Sequence, residues 1–118
     1  IKRVRLVMHE GAWDWPNTFP KTRSNPPITL EINGRVIFCK GSNYVNPDIF
    51  PGAVEENQLR ELVRLARDAN MNLFRMWGGA PMQKKAFYDA CDEMGVMVWQ
   101  EFPLACNPYP DDDDYLRV

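Results

Sequence analysis

The stretch MNLFRMWGGAP, residues 71–81, lies between two segments of helical periodicity, and its reading decides the fold. MNLFRMW is an apolar run of strand length, and GGAP is a turn. Period two sets Leu73, Arg75 and Trp77 on one face, with Phe74 and Met76 on the other. A guanidinium inside a covered sheet must be paired, and its planar fork suits a carboxylate.

Working outward, EENQLRELVRLARDAN (residues 55–70) predicts a helix. Leu59, Leu62, Val63 and Ala66 form one apolar stripe, and Glu55 and Glu56 suit the N-terminal end of the dipole. MQKKAFYDACDEM (82–94) predicts a second helix with Ala86, Phe87, Ala90, Cys91 and Met94 on one face and Gly95 as its stop. VMVWQEF (96–102) is a strand apolar on both faces. Upstream, ITLEINGRVIFCKG (28–41) reads as a hairpin about Asn33-Gly34, the pair a type I′ turn prefers, and SNYVNPDIFPG after it as a polar loop. KRVRLVM (2–8) alternates as a half-buried strand. Residues 9–27 read as an ordered crossover loop between two domains, anchored by Trp13, Trp15 and Phe19. Apolar strands alternating with amphipathic helices predict an α/β fold: βαβ units and a parallel sheet covered by helices.

Composition narrows the function. The chain has 118 residues, 45% of them hydrophobic, and a net charge of -2 with both signs scattered. That argues against nucleic acid and against an anionic membrane surface as partners. No apolar run approaches the roughly 20 residues of a membrane span. The opening IKRVRLVMHE is unlike a signal peptide, so any targeting segment is expected outside this chain and the compartment stays open. Cys39, Cys91, Cys106 and the single His9 lack metal-ligand spacing, and GGAP lacks the GxGxxG spacing of a dinucleotide loop. No metal or cofactor is therefore expected. Asp111 to Asp114 lack EF-hand spacing and read as a solvated acidic loop.

Polar and aromatic residues cluster where each strand gives way to its loop, which is where parallel α/β proteins bind ligands. The first unit offers Gly41-Ser42-Asn43-Tyr44 and Asp48, the second Arg75, Trp77, Gly78 and Gly79, the third Gln100, Glu101 and Asn107. Arg75 either holds an active-site carboxylate or makes a structural ion pair. Trp77 either floors a sugar subsite or packs under its loop. Glu101 is either a catalytic or positioning carboxylate or an ion-paired strand-end acid.

INGRVIFCKGSNYVNPDIFPG (32–52), LARDANMNLFRMWGGAP (65–81) and FYDACDEMGVMVWQEFPLACNPYP (87–110) together resemble glycoside hydrolase family 2, in its β-mannosidase-like branch. FRMWGG and WQEFPLAC carry the branch. The galactosidase and glucuronidase branches tend to have a histidine-containing turn in place of Trp-Gly-Gly.

The resemblance implies that residues 1–27 end an immunoglobulin-like β-sandwich and that 28–118 begin a (β/α)8 TIM barrel. Barrel strand one would lie near residues 38–43, and NLFRMW and VMVWQEF would be strands two and three. It implies a retaining exo-glycosidase acting on β-mannosides, or in the same family on β-galactosides, β-glucuronides or β-glucosaminides. Arg75 matches an inward arginine near the nucleophile, Trp77 a loop tryptophan of the mannose subsite, and Asn43 and Glu101 polar strand-end positions. No catalytic residue is expected in these 118 residues, because the acid/base and the nucleophile would lie beyond Val118. Arg75 is then expected to lack its carboxylate here. The rival reading from another class is a complete carbohydrate-binding α/β module without catalysis. Against it, the apolar third strand has nothing after it to pair, so the isolated chain is expected to self-associate.

Overall fold

A computed structural model describes residues 2–9, 11–12 and 26–117. The expected crossover anchors Trp13, Trp15 and Phe19 lie outside the described residues. Among the described residues the architecture is mixed α/β, with two three-stranded sheets and two α-helices. It divides into two units, Ile1–Cys39 and Lys40–Val118.

In the first unit, β1 (Val4–Met8) pairs antiparallel with β2 (Ile28–Ile32), and β2 with β3 (Arg35–Ile37). The turn joining β2 to β3 has Asn33 at φ 50° and Gly34 at φ 79°, the two positive angles a type I′ turn demands. Asn33 also ties the turn to the residue before β1, since the Arg3 N–H donates to its Oδ1 at 2.8 Å. The hairpin thus shares a ladder with β1. The division between the two compact units falls after Cys39.

The hairpin is also shorter than its sequence pattern. Residues 35–41 read as one strand, but β3 stops at Ile37 and a new strand, β4 (Gly41–Tyr44), begins in the other sheet. Ser42 and Asn43, which read as loop, lie inside β4. Two polar residues conceal a strand whose membership is set by backbone pairing with its neighbour rather than by hydrophobicity.

The second unit is a parallel sheet in the order β4, β5 (Leu73–Met76), β6 (Met97–Gln100). Helix α1 (Glu56–Asp68) connects the first pair and α2 (Lys85–Met94) the second. Helix α1 begins where the Glu55 N–H donates to Gln58 Oε1 at 2.8 Å, with Glu56 in the first turn and Arg67 in the last, as the dipole favours. Helix α2 starts at Lys85, later than residue 82, because Lys84 is extended (φ -65°, ψ 153°). The Lys84 ammonium donates back to the Gly52 and Val54 carbonyls at 3.0 and 2.6 Å. Gly95, at φ 75°, ends α2.

The core lies between the helices and one face of this sheet. Leu59, Val63 and Ala66 of α1 and Phe87, Ala90 and Cys91 of α2 pack with Tyr44, Phe74 and Met76. Phe87 is fully enclosed and meets the Tyr44 and Phe74 rings at centroid distances of 4.8 and 5.8 Å. At the N-terminal ends of the strands Asn72 does the joining. Its Oδ1 accepts from the Lys40 N–H, its own N–H donates to the Lys40 carbonyl, and its carbonyl accepts from Met97.

Tyr44 makes this core testable. Its hydroxyl is buried without a hydrogen-bond partner among the described residues. Burial first, then Cys91 and Tyr88, pushes its phenol up to about 12. Unfolded tyrosine ionises near pH 10 while the folded phenol stays neutral, so this group costs stability progressively from about pH 10 to about pH 12. Tyr44→Phe is expected to change urea-unfolding stability by no more than about 1 kcal/mol near pH 7, and to lessen its alkaline fall. Parallel alkaline losses in the two proteins would refute the assignment.

Candidate functional site

Parallel pairing sets Asn43 of β4 beside Arg75 of β5, and Arg75 beside Trp99 of β6. Partners in a parallel register project from the same face. Their neighbours Tyr44, Phe74 and Met76 enter the core, so Asn43, Arg75 and Trp99 occupy the opposite face. Among the described residues no helix covers that face.

The ladder runs past the strand ends. Trp77 N–H donates to the Tyr44 carbonyl at 3.2 Å, and Glu101 N–H to the Met76 carbonyl at 3.3 Å. Trp77 and Glu101 are thereby brought side by side two residues above the Arg75 row. Glu101 returns toward Arg75, where its Oε1 accepts from Nε at 2.7 Å and lies 2.5 Å from Nη2 in an ion pair. Its Oε2 accepts the Gly78 N–H at 3.1 Å. From the other side, Arg75 Nη1 donates to Asn43 Oδ1 at 3.0 Å.

Two of the five guanidinium N–H groups therefore donate hydrogen bonds among the described residues, Nη2 stands in ion-pair contact with Glu101, and the other N–H groups are open to another acceptor. The cation faces one carboxylate and one neutral amide, so this small cluster is electrically balanced. Both Glu101 oxygens are engaged, which suits a holding group better than a proton-transfer group.

The turn above fits the same arrangement. A Cβ on Gly78 would fall 2.7 Å from the Phe102 carbonyl oxygen, and one on Gly79 would fall 2.1 Å from Cζ2 of Trp77. The indole therefore lies across Gly79, with 38% of the residue still exposed. Among the described residues no group of three or more His, Cys, Asp and Glu gathers that could hold a metal ion.

No family model matches the chain. It is 44% identical over 96 residues to a beta-mannosidase of Capra hircus, covering 80% of this chain and 11% of that protein. Beta-mannosidase B of Thermothelomyces thermophilus is 40% identical over 81 residues, covering 69% and 10%. A solved β-D-mannosidase from Dictyoglomus thermophilum superposes with a TM-score of 0.72 at 40% identity, covering 75% of this chain and 11% of that one. The chain is a β-mannosidase-like segment of glycoside hydrolase family 2. An exo-chitosanase from Amycolatopsis orientalis, 18% identical with a TM-score of 0.62, shares the fold. The chain spans about a tenth of the length of the curated relatives it matches.

In this β-mannosidase-like segment the four residues singled out by sequence meet at one place: Asn43, Arg75 and Glu101 by direct hydrogen bonds, and Trp77 through the turn Glu101 holds. The expectation that Arg75 lacks a carboxylate here is corrected, because Glu101 supplies one. Two other residues singled out at the strand ends go elsewhere. Gln100 turns to the helix face and accepts from Tyr88 Oη at 2.7 Å, and Asp48 accepts the Phe50 N–H at 2.7 Å. Trp99, 53% exposed beside Arg75 in register, escaped notice although period two from Glu101 sets it on the same face. Its apolar neighbours disguised it as core.

The contact between Trp77 and Gly79 makes a sharp prediction. Gly79→Ala is expected to push the indole off the turn, raising acrylamide quenching of the Trp77 contribution, identified by difference from Trp77→Phe. Gly52→Ala, where an added Cβ meets nothing within 4 Å, is the control and should leave quenching unchanged. Equal quenching in the two variants would show that the indole is not seated on Gly79.

Proposed function

We propose that this segment is part of a retaining, exo-acting glycoside hydrolase that removes terminal β-mannosides. In this reading β4, β5 and β6 with α1 and α2 are the first three strands and two helices of a (β/α)8 barrel. Residues 1–27 are the terminal strand and linker of a preceding immunoglobulin-like sandwich, with the hairpin bridging to the barrel. The observation that carries it is the meeting of Asn43, Arg75, Glu101 and the Trp77 turn at the C-terminal ends of three parallel strands, on the helix-free face. That is where barrel enzymes build their sites.

Parallel sheets are normally covered on both faces. The polar, helix-free face suits a barrel interior, which the remaining strands would close. Trp77 offers an indole to the C–H face of a pyranose, Arg75 holds a nucleophilic carboxylate with its remaining N–H groups, and Asn43 and Glu101 support them. The retaining reaction needs two carboxyl groups about 5–5.5 Å apart. Both Glu101 oxygens are committed, so the catalytic pair belongs to other strands.

The full-length polypeptide containing residues 1–118 is expected to give its highest kcat/KM on nitrophenyl β-mannoside among aryl β-mannoside, β-galactoside, β-glucuronide and β-glucosaminide. A higher value on any other sugar would reassign the substrate, and saccharide binding without turnover would favour a non-catalytic module. Residues 1–118 alone are expected to turn over none of these. The outer edges of β4 and β6 are unpaired among the described residues, so the same isolated chain should self-associate. A monodisperse monomer in sedimentation would contradict that.

A further inference from the structure

Glu101 divides its two oxygens between two different elements. Oε1 binds Arg75 on strand β5, and Oε2 binds the backbone of the turn that follows β5. The carbonyl of the same Gly78 accepts the Ala105 N–H at 3.1 Å. Gly78 is therefore gripped on its N–H by Glu101 and on its C=O by the chain that follows β6. The grip requires glycine, because a Cβ there would lie 2.7 Å from the Phe102 carbonyl oxygen and 3.2 Å from Glu101 Oε2. One residue on each side of Gly78 defines the aromatic wall: Trp77 supplies the indole and Gly79 the bare backbone it lies on. The Ala80 N–H closes the turn on the Trp77 carbonyl at 3.3 Å.

We propose that Glu101 is a positioning residue which sets the Trp77 indole by clamping the Gly78 turn to Arg75, so that sugar contact by Trp77 depends on a side chain that touches no sugar. The proposal deepens the mannoside-wall reading of Trp77 and rests on it for its functional consequence. The clamp itself rests on geometry alone.

Carboxylate chemistry is what the clamp requires. Both oxygens of Glu101 accept, whereas glutamine has one accepting oxygen and one donating amide. In Glu101→Gln, with the side-chain oxygen on Arg75, the new amide would face the Gly78 N–H donor to donor. Turned around, it would face the guanidinium. Glutamine therefore keeps the size and loses one contact. Aspartate keeps both acceptors but is one methylene too short to span from the end of β6 to the two donors at once.

The test uses the full-length polypeptide labelled with 5-fluorotryptophan, with the Trp77 19F resonance assigned by its loss in Trp77→Phe. In Glu101→Gln the Trp77 resonance should shift or broaden while those of the other tryptophans hold. Hydrogen exchange of the peptide spanning Gly78 should quicken by about tenfold while peptides from α1 and α2 keep their protection. With nitrophenyl β-mannoside, KM should rise by about tenfold in Glu101→Gln, and Glu101→Gln combined with Trp77→Ala should have a KM no higher than Trp77→Ala alone. Glu101→Asp is the second arm, for the event that the glutamine variant does not fold, and should move the same resonance.

An unmoved Trp77 resonance with unchanged exchange at Gly78, in either folded variant, overturns the clamp. So do fully additive effects on KM. If the polypeptide turns over no glycoside, the mannoside reading fails, and the resonance and exchange measurements still decide the clamp.

Discussion

The Arg75–Glu101 contact is the interaction on which the rest of the candidate site depends. A guanidinium on the helix-free face of a parallel sheet carries a charge that must be balanced before that face can be enclosed. Glu101 balances it from the neighbouring strand end, at 2.5–2.7 Å from two of its nitrogens. With 38% of the Arg75 side chain and 29% of the Glu101 side chain exposed, an isolated pair of this kind would add at most about 1 kcal/mol. Its larger consequence is geometric: the same carboxylate carries the turn, and the turn carries the indole.

The sheet that makes this contact possible is tied at both ends by different chemistry. At the N-terminal ends, Asn72 joins β4, β5 and β6 through its side chain and backbone. At the C-terminal ends, Asn43, Arg75 and Glu101 form a side-chain row across the same three strands. Between them, the helix face is held by apolar packing around Phe87. The division suits a site: side chains that can meet a ligand lie on one face and one rim, and the core that stiffens their strands lies behind them.

The sequence revealed the fold unevenly, for physical reasons. Helices α1 and α2 were legible because amphipathic periodicity repeats over several turns. The Asn33-Gly34 turn was legible because few residues accept positive φ. Strand β4 was hidden from the residue pattern, since Gly41, Ser42 and Asn43 have no apolar signal and are strand because the β5 backbone lies beside them; the family resemblance alone set a strand there, near residues 38–43. The end of the hairpin was misplaced for the same reason, as Phe38 and Cys39 look like a continuation of β3. Of the site, Arg75 and Glu101 stood out as charges on apolar strands, but nothing in a linear pattern says that one is the other's partner.

What the sequence determined by itself was local: the alternation that opposes Arg75 to Phe74, the helix stripes, the glycines, and a family likeness carried by short motifs. The tertiary structure decided register. Only the parallel pairing that aligns Asn43 with Arg75 and Trp77 with Glu101 turns four separated residues into one hydrogen-bonded cluster. Register is set by backbone bonds between strands whose site residues stand 32 and 26 positions apart in the chain. Those strands are reached across two helices whose packing fixes the offset. A partner across that distance is a property of the folded chain, which is why Glu101 is close to Arg75 only in three dimensions.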